Sequence, residues 1–323
     1  MIKLVQIVAI TIALTLAYPT QSIAESRQQS VLVTGASSGI GRHLAETLAE
    51  NGHHVYAGAR KEKDLSELNA IENVTAVKLD VTKQDQIDAV VSMIEEAGSG
   101  LHGLVNNAGI AGGGPVLQTD IEDQRWVYDI NVEGVYRTTK AFAPLVVKSE
   151  GRIVTTGSIS GTISSSAGSS AYSGSKHWIE SFTDSLAAEM TPLGVFVSVV
   201  EPGNYKSKIR RSSVTRQHEK AQAFGNEITE DMKKTLEATA KRELSYKEPD
   251  DVSKAFMHAL FDEAPLRRYV VVPNEREQEI TIRTKINELV QLNQWGPYSY
   301  DREQLIAVLD AALVRETALT KEE

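Results

Sequence analysis

The chain has 323 residues, is 41% hydrophobic and 24% charged, and carries a formal net charge of −9 with no cysteine. That length can bury a substantial core, and the composition is that of an ordinary globular protein. Lack of cysteine excludes disulfides, thiolate metal sites and a cysteine nucleophile, and the negative charge without a long basic run argues against nucleic acid as a partner. The seven histidines show no metal-binding spacing, so no metal site is expected.

Residues 4–18 are apolar apart from Gln6 and two threonines, follow Lys3 and end before Pro19. A run of about 15 apolar residues suits the core of a signal peptide and falls short of the ~20 needed to span a bilayer. Ser22 and Ala24 put small residues where a signal peptidase reads. Residues 1–24 are therefore expected to form an export signal, cleaved or kept as an N-terminal anchor, giving a periplasmic or membrane-attached protein. The alternative is a buried N-terminal helix in a cytoplasmic one.

Residues 30–34 (SVLVT) read as a short buried strand that runs into Gly35, Ser37, Ser38, Gly39, Ile40 and Gly41, and then into a helix with Leu44 and Leu48 inward. Strand, glycine loop and helix together make a nucleotide-phosphate site. Glycine lets the backbone approach a pyrophosphate whose charge rests on the helix N-terminus. A second strand is expected at 54–59. Where an acidic residue at its end would grip the ribose 2′-hydroxyl of NAD, this chain has Ala59 and Arg60. A guanidinium there suits the 2′-phosphate of NADP, so NADP is the expected cofactor.

A third strand at 74–79 ends in Asp80 and Val81. The Asp80 carboxylate could bond an adenine amino group or cap the helix expected at 83–96. The fourth strand, 101–105, closes on Asn106, Asn107, Ala108 and Gly109, where amides can brace neighbouring strand ends and small residues leave room for a flat cofactor. A long helical region is expected over 121–147, with Asn131 as an ill-fitting residue in its middle. A strand at 152–156 leads to Ser158 and a serine-rich loop, and a helix over 170–190 follows. Further strands are expected at 195–200 and 269–272. The polar stretch 206–247 reads as a mobile lid over a substrate, and residues 274–323 as extra helices.

Tyr172 and Lys176 lie four positions apart on the expected helix, hence on one face. A cation beside a phenol favours the phenolate and would turn the tyrosine into a proton shuttle near neutral pH.

These motifs, in this order, resemble the short-chain dehydrogenase/reductase family over 30–273. The resemblance rests on Thr34-Gly35-x-x-x-Gly39-x-Gly41, Asn106-Asn107-Ala108-Gly109, Asn131, Ser158, Tyr172-x-x-x-Lys176 and Pro202-Gly203. It implies an α/β, Rossmann-type, doubly wound parallel sheet of about seven strands with the cofactor across its carboxyl edge. It also implies a nicotinamide-dependent oxidoreductase acting on a small alcohol or ketone, working as a dimer or tetramer. Tyr172 would be the general acid–base, Ser158 would hold the substrate oxygen, and Lys176 would lower the tyrosine pKa and hold the nicotinamide ribose. Asn131 would keep a water in a proton relay, and Ser207, after Pro202 and Gly203, would meet the carboxamide. Ser160 is a substitute for Ser158, which lies 14 positions ahead of Tyr172. The alternatives to an alcohol dehydrogenase are a nucleotide-bound sensor or scaffold without turnover, and a nucleotide-sugar epimerase or dehydratase.

Overall fold

The computed structural model describes residues 28–319 apart from Ser164, Phe224 and Asn226, so the expected leader at 1–24 lies outside the described residues. Seven parallel strands form one sheet in the order β3-β2-β1-β4-β5-β6-β7. The strands are β1 (Ser30–Val33), β2 (His54–Ala59), β3 (Val74–Lys78), β4 (Gly103–Asn106), β5 (Arg152–Thr156), β6 (Phe196–Pro202) and β7 (Arg268–Val271). Their connections are α1 (Gly39–Glu50), α2 (Glu62–Asn69), α3 (Gln84–Ala97), α4 (Ile121–Tyr128), α5 (Gly134–Lys148), α6 (Ile159–Thr162), α7 (Ser170–Met190), α8 (Ile209–Ala223), α9 (Glu230–Leu244) and α10 (Asp250–Phe261). Two further helices, α11 (Glu275–Leu292) and α12 (Arg302–Leu319), follow the last strand.

Strands β1 and β4 are buried along their whole length. That fits a parallel sheet covered on both faces, in which strands read as apolar runs rather than alternations. One layer packs Leu44 and Leu48 of α1 and Val252 and Phe256 of α10 against the sheet. The opposite layer packs Ile87 of α3, Phe142 of α5 and Leu186 of α7. Strand order reverses where β1 pairs with both β2 and β4, with Val31 in register with Val55 on one side and Gly103 on the other. A crevice at the carboxyl edge of such a reversal is where open α/β sheets bind ligands.

The structure departs from the sequence reading in detail. The helical region over 121–147 is broken by a π turn, Asp129–Glu133, which carries Asn131. The serine-rich loop after β5 contains the short helix α6, capped by the Ser158 side chain, which accepts from the Ser160 N–H at 3.1 Å. Asp80 does not cap α3, whose N-cap is Lys83. Its carboxylate instead closes a local turn by accepting from the Thr82 N–H (3.0 Å) and hydroxyl (2.8 Å).

The first of the two C-terminal helices is tied to the sheet edge. Glu277 accepts from the Asn204 backbone N–H at 2.9 Å and its side-chain amide at 3.0 Å, fixing the loop after β6. On α12, Leu309, Leu313 and Val314 are exposed. Among the described residues no helix is long and apolar enough to cross a membrane.

Beneath α6 and α7 the sheet buries a carboxylate. Glu201 on β6 is fully buried and accepts from the Thr162 hydroxyl. It lies close to Glu180 of α7, because a Cβ on Gly157 would sit 3.2 Å from both side chains. Arg268 spans Glu180 (3.1 Å) and Asp184 (2.7 Å). Burial, and then the Glu180 charge, push the Glu201 carboxyl up to about 7, against the pull of Thr162, Arg268 and Lys285. The folded chain thus holds this proton more tightly than the unfolded chain. The stability linked to Glu201 is complete below pH 4.5 and is lost as pH rises through about 7. Glu201→Gln keeps the neutral form at every pH. Its thermal midpoint is expected to gain on the parent across that window, and a difference that does not change with pH would contradict the assignment.

Candidate functional site: two adjoining cavities at the carboxyl edge

The glycine loop after β1 is tight because the chain beside it leaves no room. Gly35 (φ +67°) would bring a Cβ within 2.8 Å of the Ala108 Cα. A Cβ on Gly41 would meet the Asn107 amide and stand 2.6 Å from the Gly35 carbonyl. Gly39, which opens α1, also has a positive φ of +59°. Thr34 locks this loop to the next strand end, its hydroxyl accepting from the N–H groups of Asn107 (2.9 Å) and Ala108 (3.0 Å). The Asn107 side chain returns a bond to the Thr34 carbonyl at 3.0 Å. The asparagine therefore braces the strand ends, as its residue type suggested.

A groove of about 280 Å³ runs along the carboxyl edge from this loop. Gly35, Ser37, Ser38, Gly39, Ile40 and Gly41 line its start, and Arg60, Asp80 and Val81 line one flank. Asn107, Ala108 and Gly109 form its floor, and Ser158, Tyr172, Lys176, Pro202, Gly203 and Ser207 its far end. Every residue that the sequence singled out for cofactor contact thus lines one groove. Such a groove fits a dinucleotide: glycines that admit close backbone approach, a helix N-terminus at one end and an alcohol-bearing site at the other. At its flank the Arg60 guanidinium is 3.8 Å from Asp80 and largely exposed.

Asn131 stands behind this wall rather than in it. Its carbonyl oxygen accepts from the Ile110 N–H (2.9 Å), and its amide donates to the Ile110 carbonyl (2.9 Å) and the Ser175 hydroxyl (3.0 Å). Both amide hydrogens are spent on the protein, which fixes the loop after Gly109.

A second cavity of about 600 Å³ adjoins the groove and is roofed by α8 and α9. Ser158 and Tyr172 line both spaces. Ser158 hydrogen-bonds the Tyr172 side chain, while Ser160 lines only the second cavity. The roof is fastened to α4. Lys220 pairs with Asp120 and Asp123, both at 2.7 Å, and Arg216 lies over the Trp126 ring at 3.7 Å.

Lys176 is 5% exposed. Its Nζ donates to the Thr156 carbonyl at 2.7 Å and lies 5.9 Å from the centre of the Tyr172 ring. Burial pushes the amine down to about 8, partly offset by Glu180 one turn along the helix. The phenol departs from expectation: burial raises the Tyr172 pKa above its usual value, opposed by the Ser158 hydrogen bond and the Arg210 charge. The expected lowering by Lys176 is not found, because desolvation dominates and the amine's short bond goes to a backbone carbonyl. Thr156 and Lys208 belong to this site and were not picked out from the sequence; a lone threonine or lysine next to a motif carries no periodic signal.

The short chain dehydrogenase family profile matches residues 29–218. The mitochondrial D-beta-hydroxybutyrate dehydrogenase of Bos taurus is 36% identical over 265 residues, 75% of this chain and 76% of that one. Retinol dehydrogenase 16 of Homo sapiens is 32% identical over 273 residues, 77% of this chain and 82% of that one. A short chain dehydrogenase/reductase from Burkholderia phymatum, solved in complex with NAD, superposes with a TM-score of 0.68 at 25% identity, covering 84% of this chain and 98% of its own. Motif, sheet and groove agree with these likenesses: the chain belongs to the short-chain dehydrogenase/reductase family of oxidoreductases.

Proposed function

We propose that this protein is an NADP-preferring oxidoreductase that reduces the carbonyl of a small-molecule ketone to a secondary alcohol, with Tyr172 as the proton donor. The observation that carries this reading is the position of Tyr172 and Ser158 on the wall common to the dinucleotide groove and the roofed cavity. A group there can touch the nicotinamide on one side and the substrate oxygen on the other. When bound, the cofactor supplies the hydride. Ser158 hydrogen-bonds the substrate oxygen and orients it. Tyr172, whose raised pKa keeps it protonated at neutral pH, gives that oxygen its proton. Lys176, buried beside the ring, holds the ribose and keeps positive charge near the site. Asn131, with both amide hydrogens bonded to Ile110 and Ser175, positions the Ile110 loop and has no amide hydrogen left for the expected relay water.

Arg60 supports NADP. It is a cation on the groove's flank at the end of β2, where Ala59 and Arg60 stand in place of an acidic residue; the Asp80 carboxylate on the same flank comes from the end of β3 and lies 3.8 Å from the guanidinium. The two relatives are named for a small hydroxy acid and for a long apolar alcohol, so likeness supports an alcohol or ketone without choosing its class. We assign residues 30–273 to the catalytic domain, 206–247 to a substrate lid, 274–323 to a helical extension and 1–24 to an export signal or anchor. The exposed apolar side chains of α11 and α12 support a homo-oligomer.

Tyr172→Phe should cost at least ~10²-fold in carbonyl reduction, the lower end for general acid catalysis, with nucleotide affinity kept. Turnover equal to the parent's would remove Tyr172 as the proton donor. For cofactor choice, Arg60→Ala should weaken NADPH far more than NADH in fluorescence titrations. Equal losses would remove the 2′-phosphate contact.

A further inference from the structure

The roofed cavity has three charged side chains in its wall, Arg210, Arg242 and Glu243. Glu243 is already engaged. Its carboxylate accepts from the Arg211 backbone N–H (2.8 Å) and guanidinium (3.0 Å), and the residue is buried where α8 meets α9. Three other cations on these two helices are matched by acids, Arg211 by Glu243, Lys220 by Asp120 and Asp123, and Lys233 by Glu230. The two arginines in the cavity are not. Arg210 has a neutral partner, the Asn204 side-chain oxygen at 3.2 Å, and Arg242 lies 5.9 Å from the Tyr246 ring. Neither has a carboxylate within ion-pair distance among the described residues. Tyr246 lines the same cavity, and its buried hydroxyl also has no partner among the described residues.

These cations do not serve the dinucleotide, since neither lines its groove. They stand opposite the reacting wall, and the Arg210 charge reaches the Tyr172 phenol. A guanidinium presents donors in a fork that matches the two oxygens of a carboxylate. We infer that the substrate carries a carboxylate, held by Arg210 and Arg242 under the lid helices while its carbonyl faces Tyr172 and Ser158. The reaction would then interconvert an oxo acid and a hydroxy acid. In the reduction the carbonyl carbon takes a hydride from NADPH and the oxygen takes the Tyr172 proton. The C=O π bond is replaced by C–H and O–H bonds, and the carboxylate is unchanged.

The inference rests on the oxidoreductase reading above, and the test separates the two. One ketone is supplied as the free oxo acid, as its methyl ester and as the corresponding phosphate, with NADPH. The parent should prefer the acid. In Arg210→Gln and in Arg242→Gln the ratio of kcat/KM for acid over ester should fall about 10- to 100-fold, the size of a hydrogen bond to a charged group. Arginine-to-lysine variants should recover part of it. Taking the ratio removes any effect of Arg210 on the Tyr172 pKa, which touches both substrates alike. A parent that prefers the ester or the phosphate, or a ratio untouched in both variants, overturns the carboxylate assignment and leaves the oxidoreductase standing. Turnover of none of the compounds overturns the oxidoreductase reading. Calorimetric titration of the acid and the ester into the NADPH-loaded protein then decides the carboxylate. Acid-specific binding lost in the glutamine variants upholds it, and equal or absent binding of the two ends it.

Discussion

A lysine amine sealed inside the protein, with a backbone carbonyl as its hydrogen-bond acceptor, is the constraint around which the reacting end of this fold is arranged. Burial lowers the Lys176 amine from its ordinary value of 10.5 to about 8. The Thr156 carbonyl at the end of β5 accepts from it, and Glu180 one turn away supplies compensating charge. Glycine lets the neighbouring elements close around the amine, α6 on α7 at Gly161 and the end of β5 on β6 at Gly157. A Cβ on Gly161 would stand 2.6 Å from the Lys176 carbonyl, and one on Gly157 would meet Val199 at 2.7 Å. The interlock of β5, α6, α7 and β6 follows, and so does the placement of Ser158 and Tyr172 on one wall.

The buried acids under that interlock are the counterpart of the buried base. Glu180 and Glu201 each leave one carboxylate oxygen without a partner among the described residues. Paired and hydrogen-bonded charge inside a protein is tolerable, whereas unpartnered charge is expensive. Holding a proton on Glu201 lowers that cost. The same logic explains the phenol: desolvation outweighs the nearby cations, so Tyr172 stays protonated.

Much of this could be read from the chain. The apolar runs of β1 and β4 and the glycine loop between β1 and α1 announced the sheet and the groove, because fully buried parallel strands and phosphate loops have local requirements. Each residue of the cofactor set fell in the groove for the same reason. Other features depend on contacts that no window of sequence contains. The π turn carries Asn131, whose side chain reaches Ile110 and Ser175, far apart in sequence. Asp80 went to its own turn and to Arg60 rather than to the next helix. The cavity arginines were hidden because α8 has no apolar face and α9 is charged over most of its length, so only tertiary packing selects Arg210 and Arg242 from their many charged neighbours.

The groove is assembled from segments that begin at Gly35 and end beyond Ser207, one from the end of each of six strands. No stretch of the chain shorter than that span has all its walls. A dinucleotide that recognises only the finished groove therefore rewards completion of the whole sheet. At a hundredfold its dissociation constant, such a ligand adds about 2.7 kcal/mol to the folding equilibrium. The survival time of this polypeptide in any compartment would then follow the local supply of pyridine nucleotide, so that the coenzyme pool governs how much enzyme persists as well as how fast it turns over.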